Sequence, residues 1–266
     1  MSRRDAPGAG LAAAYDAYFA SQVYDRRYPA PNPSTLDFLR RWIRVGAEGR
    51  VLDLGCGNGR YALPLLETGA FSLVGCDISA AALQAFRSRL QHHPARGRVL
   101  LLRGEAASLP PGPAFDAVMM MFGVLAHIDA RADRVATLQA LRRRTRAGGR
   151  LLLSVPSALR RMPLALVRAA LQAAGPGGSR ARWSDIRYHR RLAGRDAPFT
   201  YHLYLPSTLR AELAEGGWRL DLLEAESALP ESLVCRSARW ARLDEALRAR
   251  LPAALGYGLR ALAVAA

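Results

Sequence analysis

Between residues 50 and 155, short apolar runs alternate with amphipathic stretches. The runs at 50–54, 72–76, 99–103, 117–121 and 151–155 have the length of buried strands, and the apolar spacing between them predicts helices at 61–67, 80–90 and 130–144. Regular strand–helix alternation predicts a parallel sheet joined by right-handed crossovers. Ser79 and Asp129 stand where helix N-caps belong, and Gly148-Gly149 where the last of these helices should close.

The pattern differs on either side. Residues 1–10 are small, basic and aperiodic, which predicts a frayed end. Residues 11–44 read as helical: Tyr15, Tyr18, Tyr24 and Tyr28 precede a break at Pro29, Pro31 and Pro33, with Ser34 as the N-cap of a helix through Trp42. Toward the end, a helix at 207–216, a strand at 219–224, a helix at 237–250 and a closing strand at 259–264 are expected. Residues 199–204 alternate at strand spacing, which sets Phe199, Tyr201 and Leu203 on one face and Thr200, His202 and Tyr204 on the other. The chain thus divides into an N-terminal helical cap (1–34), an α/β core (35–156), a basic insertion (157–198) and a C-terminal part that completes the sheet (199–266).

Charge changes the picture less than its sum suggests. The formal net charge is +16, but all 38 basic residues are arginine and the sequence contains no lysine, which points to a coding bias before a nucleic-acid partner. Where the charge sits is more telling. Residues 156–198 carry nine arginines against Asp185 and Asp196, whereas 199–266 balance eight arginines with eight acids. Cys56, Cys76 and Cys235 cannot build a disulfide framework, and no Cys/His spacing suggests zinc. No apolar run approaches the ~20 residues that cross a bilayer. The basic start leads into no apolar signal region, because Asp5 and Asp16 interrupt it. A reduced, cytoplasmic protein without a metal is the expectation.

The strongest chemical signal is Asp53-Leu54-Gly55-Cys56-Gly57-Asn58-Gly59, a glycine-rich turn directly after a buried strand and before a helix. Glycines let the backbone bend sharply and approach a ligand closely. A dinucleotide site wants G-x-G-x-x-G, but here the third position is Arg60, and no G-K-[ST] follows for a phosphate loop. Asp77 ends the next strand 18 residues beyond Gly59, close to the ~20 expected of an acid that holds a ribose diol.

These residues, with Leu73-Val74-Gly75-Cys76-Asp77-Ile78, Gly104-Glu105-Ala106-Ala107-Ser108-Leu109-Pro110, Phe115-Asp116-Ala117-Val118 and Ala147-Gly148-Gly149-Arg150-Leu151, resemble the ordered motifs of the class I S-adenosylmethionine-dependent methyltransferases (type 11/25-like) over about residues 35–156. The resemblance implies a Rossmann-like α/β fold, a mostly parallel seven-stranded sheet whose last strand is antiparallel, with the Arg-rich helical insertion after the fifth strand. It implies S-adenosyl-L-methionine as cofactor, held by Asp53, Gly55, Cys56, Gly57, Asn58, Gly59, Asp77, Ile78, Glu105, Ala106, Met121 and Phe122. Glu105 stands where Asp is common, and Asp116 is assigned to positioning the strand. A sulfonium with a diol suits carboxylates better than a phosphate-binding helix terminus does.

In that family the residues after the fourth strand face the transferable methyl group. Here they are 121–127, which makes His127 the candidate general base; a histidine packed at the start of the next helix is the other reading. Tyr24, Arg187, Tyr201, His202 and Tyr204 are candidates for the acceptor side, with Tyr24 and Tyr28 in an N-terminal lid. Arg180, Arg182, Arg187, Arg190 and Arg191, interleaved with Trp183 and Tyr188, suit phosphate or carboxylate recognition or else form a solvated basic face. Residues 162–174 read as an apolar helix that suits a lid or peripheral membrane contact, whereas Arg142-Arg143-Arg144 complements a helix dipole.

The expected activity is methyl transfer to a small-molecule or lipid-like acceptor bearing an anionic group. The alternatives are an RNA methyltransferase acting on modified tRNA uridine and a non-catalytic scaffold that binds the cofactor. Against the RNA reading, only His127 stands where that group carries paired histidines, and no separate RNA-binding module is visible.

Overall fold

Seven strands form one sheet in the order β3-β2-β1-β4-β5-β9-β8. They are β1 (Arg50–Leu54), β2 (Ser72–Asp77), β3 (Val99–Arg103), β4 (Phe115–Met120), β5 (Thr145–Pro156), β8 (Trp218–Ser227) and β9 (Gly258–Ala265). A separate antiparallel hairpin pairs β6 (Asp185–Leu192) with β7 (Arg195–His202). The computed structural model describes residues 9–162, 185–192 and 195–266. The neighbours β3, β2, β1, β4 and β5 pair in parallel, and β9 runs antiparallel between β5 and β8. It follows that β8 points the same way as β5. The carboxyl ends of β1 to β5 and of β8 therefore share one edge of the sheet, where open α/β sheets hold their ligands.

Parallel strands need cover on both faces, and alternate side chains go to opposite layers. Leu52, Leu151 and Leu153 pack on one side against α6 (Arg131–Arg143) and α8 (Pro206–Glu215) through Leu138, Leu141, Leu209 and Leu213. Val51, Leu73 and Leu152 pack on the other against α3 (Pro33–Trp42), α4 (Ala62–Thr68) and α5 (Ala80–Leu90) through Leu39, Leu65, Leu83 and Phe86. Ahead of the sheet, α1 (Ala9–Ala20) and α2 (Val23–Arg27) carry an aromatic cluster of Tyr18, Phe19, Tyr24 and Tyr28. The helices α7 (Ala158–Arg161), α9 (Glu231–Val234) and α10 (Ala238–Arg248) complete the chain.

Several boundaries depart from the pattern for identifiable reasons. Asn32, not Ser34, caps α3: its Oδ1 accepts from the Ser34 N–H at 3.1 Å, and Pro33 takes the first helical position. The Ser34 hydroxyl oxygen instead accepts from Arg260 Nη1 at 3.1 Å. Asp129 caps nothing, because the Arg134 guanidinium holds the Ile128 and Asp129 carbonyls and the helix starts one residue later, after Ala130. Gly148-Gly149 closes no helix. The helix α6 has ended by Arg143, where the Thr145 hydroxyl donates to Leu141, and the glycine pair lies within β5. By contrast Ser79 caps α5 as expected, accepting from the Ala82 N–H at 3.1 Å. The expected helix at 162–174 lies, after Met162, outside the described residues, as do residues 1–8, Arg180, Arg182 and Trp183.

One buried ion pair ties α6 to α8. Arg134 donates Nη2 to Glu212 Oε1 at 2.8 Å and Nε to Glu212 Oε2 at 3.1 Å, and the Tyr204 hydroxyl donates to the same Oε2 at 2.8 Å. Removing one partner of such a pair strands the other charge. The variant Glu212→Gln is expected to lose about 3 kcal/mol of stability, a fall in melting temperature of roughly 5–10 °C by calorimetry.

Candidate functional site

The turn after β1 bends in a way only glycine tolerates cheaply. Gly55, Gly57 and Gly59 have φ of 75°, 53° and 79°, the left-handed region that side chains disfavour. The space is as restrictive as the angle. A Cβ on Gly55 would meet Val124 at 2.3 Å, and one on Gly59 would meet the Phe86 ring at 2.4 Å. The Gly55 and Cys56 N–H groups both donate to the Cys76 carbonyl at 2.7 and 3.2 Å, which pins the turn to the end of β2.

Beside this turn sit two buried carboxylates. Asp77 Oδ2 accepts from the Gly57 N–H and Oδ1 from the Ser79 N–H, both at 2.8 Å. Burial pushes the Asp77 carboxyl up, opposed by those N–H groups. Burial pushes Asp53 well above the ordinary carboxylate range, and the charge of Asp77 adds to it. Among the described residues no arginine or histidine forms an ion pair with either acid. Asn58 donates Nδ2 to Asp25 at 2.5 Å, while its buried Oδ1 meets no donor. The described residues thus gather acidic groups and acceptor oxygens in one crevice without pairing them to a cation. That donor set fits S-adenosylmethionine, which brings a sulfonium, an ammonium and a ribose diol.

The other cofactor candidates ring the same edge. Ile78 follows Asp77, and its carbonyl accepts from Arg103. Glu105 and buried Ala106 open a short 3-10 turn after β3. Buried Met121 and partly buried Phe122 follow β4. Phe122 is held at φ 63°, with its N–H on the Ser154 hydroxyl at 2.8 Å and the Gly123 N–H on the Ser154 carbonyl at 3.0 Å. A left-handed phenylalanine costs of order 1–3 kcal/mol, and such strain gathers at functional positions.

Helices α1 and α2 roof the crevice. Phe19 Cζ lies 3.3 Å from where a Gly57 Cβ would stand. Asp16 Oδ1 accepts from the Ser79 hydroxyl at 2.7 Å and the Ala81 N–H at 3.0 Å. Tyr24, Tyr28, Tyr61 and Phe122 surround the buried Arg60 guanidinium, 4.4–5.8 Å from its carbon. Arg60 Nη2 stands 3.1 Å from Glu231.

Across Phe122 from this roof lies a small hollow lined by Phe122, Gly123, Val155, Pro156, Arg161, Tyr201, Glu226, Ser227, Glu231 and Tyr257. Tyr201 is the acceptor-side candidate that lines it. His127 stands behind Tyr201, ring centroids 4.8 Å apart, and donates Nδ1–H to the Thr200 carbonyl at 2.8 Å. That tautomer leaves Nε2 as the nitrogen able to take a proton. His202 and Tyr204 are placed elsewhere. His202 Nδ1 lies 2.7 Å from Asp185, and fully buried Tyr204 spends its hydroxyl on Glu212, in the layer with α6 and α8. Strand β7 ends at His202, so the alternation that grouped Tyr204 with Thr200 and His202 does not reach it. Arg187 lies on β6 opposite Thr200, its side chain outside the described residues. Asp116 is structural, accepting from the Arg50 N–H and pairing with Arg146.

Arg60, Ser154, Arg161, Glu226 and Glu231 escaped the motif search. One signal was available for Glu226 and Ser227, since they stand at the carboxyl end of β8, the edge where ligands collect.

Residues 51–149 match the family model of a methyltransferase domain. That segment is a methyltransferase domain, and the fold around it is shared with S-adenosylmethionine-dependent methyltransferases. It is 42% identical over 121 residues to the tRNA U34 carboxymethyltransferase of Shewanella baltica, 44% of this chain and 34% of that protein. The counterpart in Pseudoalteromonas atlantica is 38% identical over 119 residues, 42% of this chain and 35% of that protein. The chain therefore spans about a third of the length of these curated relatives. The fold extends further than the sequence likeness. The CcbJ methyltransferase from Streptomyces caelestis superposes with a TM-score of 0.67 at 18% identity, covering 95% of this chain and 98% of that one. A glycopeptide N-methyltransferase, MtfA, bound to S-adenosylmethionine gives 0.56 at 20%, covering 89% and 95%.

Glu226 gives this region a pH signature. Its carboxyl is raised from 4.5 to about 7, first by burial and then by Glu231, against the Ser154 hydroxyl and the charges of Arg260 and Arg161. An acid raised in the folded state contributes stability that is lost as pH rises through the folded value. Denaturant unfolding of the ligand-free protein should show a loss between pH 4.5 and about 7 that Glu226→Gln removes.

Proposed function

We propose that this methyltransferase acts on a small organic acceptor seated beyond Phe122, with S-adenosylmethionine lying between the glycine turn and the roof. The reading rests on the two buried carboxylates, Asp53 and Asp77, which no ion pair among the described residues neutralises. Bound S-adenosylmethionine supplies an electrophilic methyl group. The chain's part is then to hold both reactants in line and to exclude water, which together account for much of the rate of such a displacement. The roof suits that role: it covers the crevice and must part for a ligand to enter. No helix among the described residues is long and apolar enough to cross a membrane.

A second reading has one observation in its favour, the 42% identity to tRNA U34 carboxymethyltransferases. It makes modified tRNA uridine the acceptor, with the arginines of the insertion meeting phosphate. The shared segment is a third of those proteins, so the likeness bears on the cofactor half more than on the acceptor.

Calorimetric titration with S-adenosylhomocysteine tests the first reading. Micromolar binding is expected, and Asp77→Ala should weaken it roughly 10–100-fold, the worth of losing hydrogen bonds to a charged group. Absence of binding, or indifference to Asp77→Ala, would defeat it. For the second reading, tRNA affinity measured from 50 to 200 mM salt is the discriminating quantity. A steep loss, with methyl label entering tRNA, favours RNA as acceptor; label entering only the nuclease-treated small-molecule fraction of an extract favours the first.

A further inference from the structure

The hollow beside Phe122 carries three charged side chains, one of which keeps an oxygen that no donor among the described residues meets. Glu231, on α9, accepts from the Tyr61 hydroxyl at 2.8 Å and from Asn32 Nδ2 at 3.3 Å, and faces Arg60. Arg161, on α7, donates Nε to the Tyr257 carbonyl at 3.1 Å and lies over the Tyr257 ring at 4.3 Å. Glu226 differs. It is 9% exposed, and its Oε1 is buried without a donor among the described residues. Its other oxygen lies 2.3 Å from where a Cβ on Gly258 would stand, so a glycine in β9 makes room for the carboxyl.

The position is as telling as the missing partner. Strand β8 runs parallel to β5, which brings Glu226 to the same edge as the glycine turn. Phe122 lines the hollow on one side and meets Tyr28 and Arg60 on the other. The hollow thus borders on the residues that form the roofed crevice. A carboxylate or phosphate group here would face both Glu226 and Glu231. A cation would meet an acceptor oxygen that nothing else uses, between the aromatic walls of Phe122, Tyr201 and Tyr257.

We propose that this hollow is the acceptor site, that the acceptor is a small amine, and that Glu226 is the catalytic residue that takes its proton. The proposal rests on the methyltransferase reading above and names its substrate class. The amine enters as an ammonium and passes one proton to the Glu226 carboxylate, which becomes the neutral acid. The freed nitrogen lone pair forms the new N–CH3 bond as the S–CH3 bond breaks, its electron pair remaining on sulfur. The products are a methylated ammonium and a neutral thioether, and the proton on Glu226 returns to solvent. Burial and Glu231 raise the Glu226 carboxyl, against Arg161, Arg260 and the Ser154 hydroxyl, so it takes a proton from nitrogen more readily than an ordinary carboxylate does. An alcohol would hold its proton far too tightly for the same exchange.

Benzylamine, benzyl alcohol and benzoate match the aromatic walls and differ in charge at one atom, so they separate the alternatives. Their binding to the protein loaded with S-adenosylhomocysteine is measured at pH 8 by saturation-transfer NMR and calorimetry. Benzylamine is expected to bind at least tenfold more tightly than the alcohol, with benzoate weakest. Glu226→Gln, checked for folding by its melting temperature, should abolish the preference, and Glu226→Asp should retain part of it. Equal binding of amine and alcohol, tighter binding of benzoate, or an amine preference that survives Glu226→Gln would overturn the proposal and leave the cofactor reading intact. Failure of S-adenosylhomocysteine to bind the wild-type protein would overturn both.

Discussion

Two carboxylates buried near one another, with no ion-pair partner among the described residues, are the constraint around which this protein is arranged. Folding buries Asp53 and Asp77 at an energetic cost that the turn offsets only in part, through the N–H groups that Gly57 and Ser79 give to Asp77. A stable domain has no reason to keep such a pair unless something else completes it. The left-handed glycines, the close approach of Val124 and Phe86 and the docking of the turn on Cys76 all keep that arrangement rigid. A preorganised site of this kind spends its strain during folding instead of at each binding event.

Much of this was legible in the chain itself. The parallel strands announce themselves as apolar runs because both faces of such a sheet are covered, and Asp53, the glycine turn and Asp77 are local in sequence, so their spacing carries their geometry. The antiparallel last strand followed from the family resemblance and is present as β9. What the sequence hid was non-local. Nothing near Tyr204 shows that its hydroxyl meets Glu212, since the chain must first turn a corner after His202. Asn32 displaced Ser34 as a cap because Pro33 fits the first helical position, a choice between neighbours that composition alone does not settle. Glu226 looks like an ordinary acid on an edge strand. Only the sheet order and the direction of β8 bring it to the ligand edge.

The proposed acceptor site is accordingly built from parts distant in sequence: the segment after β4, the ends of β5 and β8, α7, α9 and one residue of β7. The segment matched by the methyltransferase model ends at residue 149, before most of these. Sequence likeness thus covers the glycine turn and its acids, while most of the residues around the hollow lie outside the matched segment. This is the usual relation between a widely used fold and the sites grafted on it.

Phe122 forms part of the wall of both compartments, and its ring rests on a guanidinium that also touches the roof tyrosines and faces Glu231. A residue already held in a costly backbone geometry has two neighbouring cavities pressing on it. Any shift it makes when one is filled alters the shape of the other, and thermodynamics then requires the effect to be reciprocal: each ligand changes the affinity of its companion by the same factor. A residue at that boundary is thereby also an element through which each ligand would register the other's presence.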